Sequence, residues 1–142
     1  MKHEPLSSTV LIVDDEPDVV TYLGMLLEDA GYRVRSAGDA DAALVEMRRQ
    51  RPDLISLDIM MPRRSGISLY RQMKTDPELK NIPAIVVTAF SCLEDFAGQR
   101  FRKLIPNPSV PEPEAFLEKP VDTERFLDTV VAIIGRAGRY QA

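Results

Sequence analysis

A doubly wound α/β fold, with five parallel strands in the order 2-1-3-4-5 and five helices, is the class this sequence predicts. Three observations predict it. Short apolar runs alternate with stretches of helical spacing along the whole chain, as in repeated βαβ units. Several runs are apolar at nearly every position, as strands buried on both faces are. The same runs end in charged or hydroxyl residues, and an open α/β sheet binds its ligands at that carboxyl edge.

Residues 1–8 read as a leader. Thr9 to Val13 is an apolar strand that runs into Asp14, Asp15 and Glu16. Pro17 suits a first helical position, where its missing N–H costs nothing. Val19, Val20, Leu23, Leu26 and Leu27 then follow helical spacing to the stop at Gly31. Tyr32 to Ala37 alternates, as a strand near an edge does. Asp39 or Asp41 caps a second helix through Ala42, Ala43, Leu44 and Met47. Its basic end at Arg48, Arg49 and Arg51 suits the helix dipole.

Leu54 to Asp58 is the most telling stretch. A strand of Leu and Ile ends abruptly in a carboxylate, and Met60, Met61 and Pro62 close it. A loop with Gly66 leads to a third helix carrying Leu69, Tyr70 and Met73, which stops near Asp76-Pro77. Ile82 to Val87 is the fourth strand, with Thr88 and Ala89 at its end. A fourth helix is expected over Leu93 to Lys103, and a short strand over Ala115 to Leu117 leads to Glu118, Lys119 and Pro120. Asp122 caps a last helix whose apolar face is Phe126, Val130, Val131, Ile133 and Ile134. Residues 9–136 thus form one domain, followed by a tail at 137–142.

The 142 residues can bury a core without staples. A 44% hydrophobic and 28% charged composition is that of a globular protein, and the net charge of −4 gives no reason to expect direct nucleic-acid binding. One cysteine, Cys92, excludes an internal disulfide framework. It reads as a small hydrophobe or a bystander. His3, in the leader, is not expected to bind metal. No stretch approaches the ~20 apolar residues of a membrane span. A cytoplasmic location and no membrane association are expected.

If the sheet has the expected order, Asp14, Asp15, Asp58, Thr88 and Lys119 converge on one edge. Clustered carboxylates repel, and a divalent cation relieves them. Mg2+ takes carboxylate, water and phosphate oxygens. With a lysine point charge and a hydroxyl, the set suits a transferring phosphoryl group, and Asp58 can act as the nucleophile. The plainer reading, in which Asp14 and Asp15 only cap the first helix, does not account for the other members.

Four motifs stand in order at these strand ends: Val-Asp-Asp-Glu, Asp-Ile-Met-Met-Pro with Gly66 downstream, Val-Thr-Ala, and Glu-Lys-Pro. Together they resemble the receiver domain of two-component response regulators, which has the flavodoxin-like fold. The resemblance covers about Thr9 to Gly135. It implies that Asp58 accepts phosphate from a histidine kinase or a histidine phosphotransfer protein. It implies that Asp15 and Asp58 hold Mg2+, that Asp14 helps directly or through water, and that the Met60 backbone carbonyl completes the set. Lys119 would contact the phosphoryl group, ahead of a cis bond to Pro120. Thr88 and Phe116 would be the switch residues. A downstream protein target would read the face of the fourth helix, fifth strand and fifth helix, where Arg100, Arg102 and Lys103 could form a docking patch. The chain would be a regulatory phospho-acceptor rather than an enzyme, monomeric or dimerising on phosphorylation.

Two rivals stand beside this. One is a degenerate receiver used only as an interaction module. The other is an aspartyl-phosphate phosphatase of the haloacid-dehalogenase type, which needs a second aspartate two residues after the nucleophile, where this chain has Met60. Met60 and Phe90 flank the expected water path, and their apolar bulk suggests a long-lived phosphoryl state. One stretch departs from the family. Thirty residues separate Thr88 from Lys119, and the surplus falls at about 104–114, with prolines at 106, 108, 111 and 113. Their stiffness predicts an extended, self-ordered loop. The sharper expectation is that it reshapes the switch face; the plainer one is a tolerated insertion.

Overall fold

The computed structural model describes residues 8–59, 66–89 and 99–135. Among them are five strands and five helices. The strands are β1 (Thr9–Val13), β2 (Arg33–Ala37), β3 (Leu54–Leu57), β4 (Ala84–Ala89) and β5 (Ala115–Lys119). The helices are α1 (Pro17–Asp29), α2 (Ala40–Arg49), α3 (Gly66–Lys74), α4 (Gln99–Leu104) and α5 (Thr123–Ile134). All pairings are parallel, in the order β2-β1-β3-β4-β5. This is the expected doubly wound fold.

The pattern that identified the strands is also what buries them. β1 and β3 are buried at every position. Alternate residues serve opposite faces. Leu11, Val13, Ile55, Leu57, Ala84 and Val86 pack with Met47, Tyr70 and Phe101 on one side. Val10, Ile12, Leu54, Ile85 and Val87 pack with Leu23, Leu27, Phe126 and Val130 on the other. β2, at an edge, is exposed or half-buried except at Ala37, as its alternation predicts.

The ends of the elements differ in detail from the sequence reading. Asp39, not Asp41, caps α2, accepting from the Ala42 N–H at 2.8 Å, and Asp122 caps α5 through the Arg125 N–H. Gly31 adopts φ 96°, a conformation open to glycine that lets the chain leave α1. The fourth strand begins at Ala84, two residues beyond the expected Ile82, and includes Thr88 and Ala89. Ile82 is buried, but its carbonyl accepts from the Lys74 ammonium at 2.6 Å instead of joining the ladder. β5 runs on to Lys119, because Thr88 and Ala89 pair with Glu118 and Lys119.

The proline-spaced segment is anchored by more than its stiffness. Ile105, Val110 and Pro113 are buried, and the first two join the same core as Tyr70 and Phe101. The Tyr70 hydroxyl donates to the Pro111 carbonyl at 2.5 Å, and the Arg102 guanidinium donates to the Asn107 carbonyl at 2.7 Å. Tyr70 and Phe101 meet edge to face, with centroids 5.9 Å apart. Glu114 closes the segment on β4, accepting from the Ala84 N–H through Oε1 at 2.8 Å. In the described residues α4 is short, and this segment fills the core beneath it. Of the expected fourth helix, residues 93–98 lie outside the described residues, as do His3, Phe90 and Cys92.

Candidate functional site

Backbone bonds deliver the acidic residues to the sheet edge. The Asp14 N–H donates to the Ala37 carbonyl at 3.1 Å, and the Asp58 N–H to the Val13 carbonyl at 2.9 Å. Each bond extends a ladder by one step, so the two carboxylates leave neighbouring strands side by side. Both residues are buried, at 4% exposure. Gly66 packs against the backbone of Asp58 and Ile59. Its N–H donates to the Ile59 carbonyl at 3.1 Å, and a Cβ there would lie 2.5 Å from the Asp58 carbonyl oxygen and the Ile59 Cα. Only glycine fits against that backbone.

Lys119, at the end of β5, reaches across the edge. Its ammonium lies 2.9 Å from Asp14, 2.8 Å from Glu16 and 3.1 Å from Asp58. The Lys119–Pro120 bond is cis, as expected. Burial pushes the Asp14 carboxyl above its ordinary range. Lys119 and the Glu16 N–H oppose this rise, and the neighbouring Asp58 charge adds to it. Lys119 feels the reverse balance: burial disfavours its charge, but bonds to Glu16, Asp14 and Asp58 outweigh it and raise its pKa.

One carboxyl oxygen each from Asp14, Glu16 and Asp58 lies within 4.8 Å of the others. Glu16 is therefore the third member of this group, a place the sequence reading did not give it. Asp15 is exposed and outside the group. The signal for Glu16 was its position in Val-Asp-Asp-Glu, at the helix start facing a strand that ends in lysine. Met60 lies outside the described residues. The donors are all carboxylate oxygens, the type Mg2+ selects, and two of them are buried against each other. The cluster is compatible with a divalent cation.

Thr88 is buried, and its hydroxyl has no hydrogen-bond partner among the described residues. Such a group is normally satisfied. Phe116 pairs with Val86 in the sheet and packs, half-buried, against the core that includes Phe101 and Tyr70.

A parallel five-stranded sheet with paired carboxylates and a lysine at its carboxyl edge defines a class: the receivers of two-component systems. The chain belongs to the response regulator receiver domain family, whose model matches residues 10–103. It is 33% identical over 132 residues to the polar-differentiation response regulator DivK of Brucella anthropi, covering 93% of this chain and all of that protein. It is 38% identical over 87 residues to the "Probable transcriptional regulatory protein TcrX" of Mycobacterium tuberculosis, covering 61% of this chain but only 36% of that protein. The chemotaxis response regulator CheY4 of Vibrio cholerae superposes with a TM-score of 0.75 at 26% identity, over 89% of this chain and 98% of that one. No helix among the described residues is long and apolar enough to cross a membrane.

Proposed function

We propose that this chain is a phospho-accepting receiver of a two-component phosphorelay, with Asp58 as the acceptor. The observation that carries the reading is the placement of Lys119 against two buried carboxylates, Asp14 and Asp58. Such a cluster is costly to the fold and suits a phosphoryl site.

The donor is a phosphohistidine of a histidine kinase or a histidine phosphotransfer protein. An Asp58 carboxylate oxygen attacks phosphorus and the P–N bond breaks. The leaving imidazole keeps the electron pair and takes a proton. Asp15 and Asp58 would hold Mg2+, with Asp14 acting directly or through water and the Met60 backbone carbonyl completing the set that the family implies. When bound, Mg2+ neutralises charge on the transferring group. Lys119 holds a phosphoryl oxygen, and the Thr88 hydroxyl, without a partner among the described residues, gains one as its acceptor. Thr88 and Phe116 lie on the sheet face that packs against α4, so their shift alters the surface of α4, β5 and α5 that a downstream protein target reads. Residues 9–136 form the receiver, with 1–8 and 137–142 outside it. The chain acts in the cytoplasm as a regulatory acceptor, and its chemistry is limited to its own phosphorylation and dephosphorylation.

The test is incubation with acetyl phosphate and Mg2+, read by intact mass, beside Asp58→Asn. Wild type gains one phosphoryl group and the variant none. A wild type that gains none under these conditions leaves the chain as an interaction module.

A further inference from the structure

Glu16 stands where a helix cap belongs, yet its side chain caps nothing. It is the N-cap residue of α1 and makes no side-chain bond to the first-turn N–H groups. Ser, Thr, Asp or Asn is preferred there because a short side chain satisfies one of those donors. The Glu16 carboxylate instead crosses to Lys119, at the shortest of that ammonium's three carboxylate distances.

Counting donors gives this contact its meaning. A lysine ammonium has three N–H bonds. Asp14, Asp58 and Glu16 supply an acceptor for each. A phosphoryl oxygen arriving at Asp58 can therefore gain Lys119 only when one partner lets go. The Asp14 and Asp58 side chains are 3% and 5% exposed, whereas that of Glu16 is 59% exposed. Water can re-solvate Glu16 at once, and exposed ion pairs hold most weakly.

We propose that Glu16 is a positioning residue that holds Lys119 in the resting site, and that breaking the Glu16–Lys119 pair frees the N–H that Lys119 gives to the phosphoryl group. This rests on the acceptor reading of Asp58 and adds to it a residue that sets how readily the site accepts.

The experiment measures binding of beryllofluoride, a phosphoryl mimic, by calorimetry at saturating Mg2+. Glu16→Ala removes the competitor and binds about two- to fivefold more tightly than wild type, the range an exposed ion pair is worth. Glu16→Gln keeps an acceptor without the charge and falls between the two. Mg2+ affinity measured without beryllofluoride does not rise in either variant, a split that damage to α1 would not produce. In a Lys119→Ala background the Glu16→Ala effect vanishes.

Unchanged or weaker beryllofluoride binding in Glu16→Ala overturns the proposal. So does a gain that persists in the Lys119→Ala background, since it would reflect overall charge and not this pair. Failure of the acceptor reading itself looks different: wild type would then bind no beryllofluoride with Mg2+, and both proposals fall.

Discussion

Val110 tests what holds the segment between α4 and β5. If proline stiffness orders it, the exposed prolines matter most. If its apolar side chains anchor it, Val110 matters most, being fully buried in the core with Tyr70 and Phe101. Val110→Ala removes two buried carbons, worth about 0.8 kcal/mol each by transfer. The cavity left behind adds to this, for a total of about 2–3 kcal/mol. Pro108 is exposed, so Pro108→Ala acts through the unfolded chain and costs about 0.4–1 kcal/mol. Tyr70→Phe removes one hydrogen bond, to a carbonyl whose residue is exposed and can be re-solvated. Its cost is about 0.5–1.5 kcal/mol. Urea unfolding of the three variants gives the order directly, provided the m-values agree with wild type. A Pro108→Ala loss equal to or larger than that of Val110→Ala would refute the anchoring argument and restore the stiffness one.

Other expectations concern the site. Gly66→Ala forces a Cβ onto backbone atoms of Asp58 and Ile59; it should destabilise by about 1–3 kcal/mol or more in urea and weaken Mg2+-dependent beryllofluoride binding together with stability. Thr88→Val replaces a buried hydroxyl that has no partner among the described residues with a methyl group of similar shape. It should stabilise the resting protein by about 1 kcal/mol in thermal or urea unfolding while weakening phosphoryl-mimic binding, and a loss of stability would mean that the hydroxyl is satisfied in the resting state. Asp14 has a folded pKa raised by burial above its ordinary 3.8, so the folded state holds its proton more tightly than the unfolded one. Its contribution favours folding at pH below that ordinary value and is lost as pH rises through the folded pKa. Without Mg2+, Asp14→Asn should therefore be more stable than wild type at pH 7, and the gap should close on acidification below about pH 4; urea titrations across pH check this.

Much of the fold could be read in the chain because buried parallel strands and amphipathic helices write their periods into sequence. The run Leu54 to Leu57 and the helix Pro17 to Asp29 needed no partner to be recognised. Boundaries were less legible. Ile82 looked like a strand residue because it is buried, but burial and ladder pairing are separate properties. The 105–114 segment misled for a similar reason: its prolines advertise stiffness, while the seats of Ile105 and Val110 exist only once Tyr70 and Phe101 face them.

Residue order alone carries the strand order expected of such a chain, the strand ends that bear Asp14, Asp58, Thr88 and Lys119, and the resemblance those ends make. These are local matters of period, capping and residue type. It takes the packed sheet to set Glu16, and not Asp15, beside the two buried carboxylates and to bring one lysine to all three. That choice depends on how the first helix leaves β1 relative to the end of β5, more than a hundred residues further along the chain. No sequence period reports a distance across a sheet edge. The Thr88 hydroxyl, which has no partner among the described residues, belongs to the same level, because hydrogen bonding is a property of neighbours.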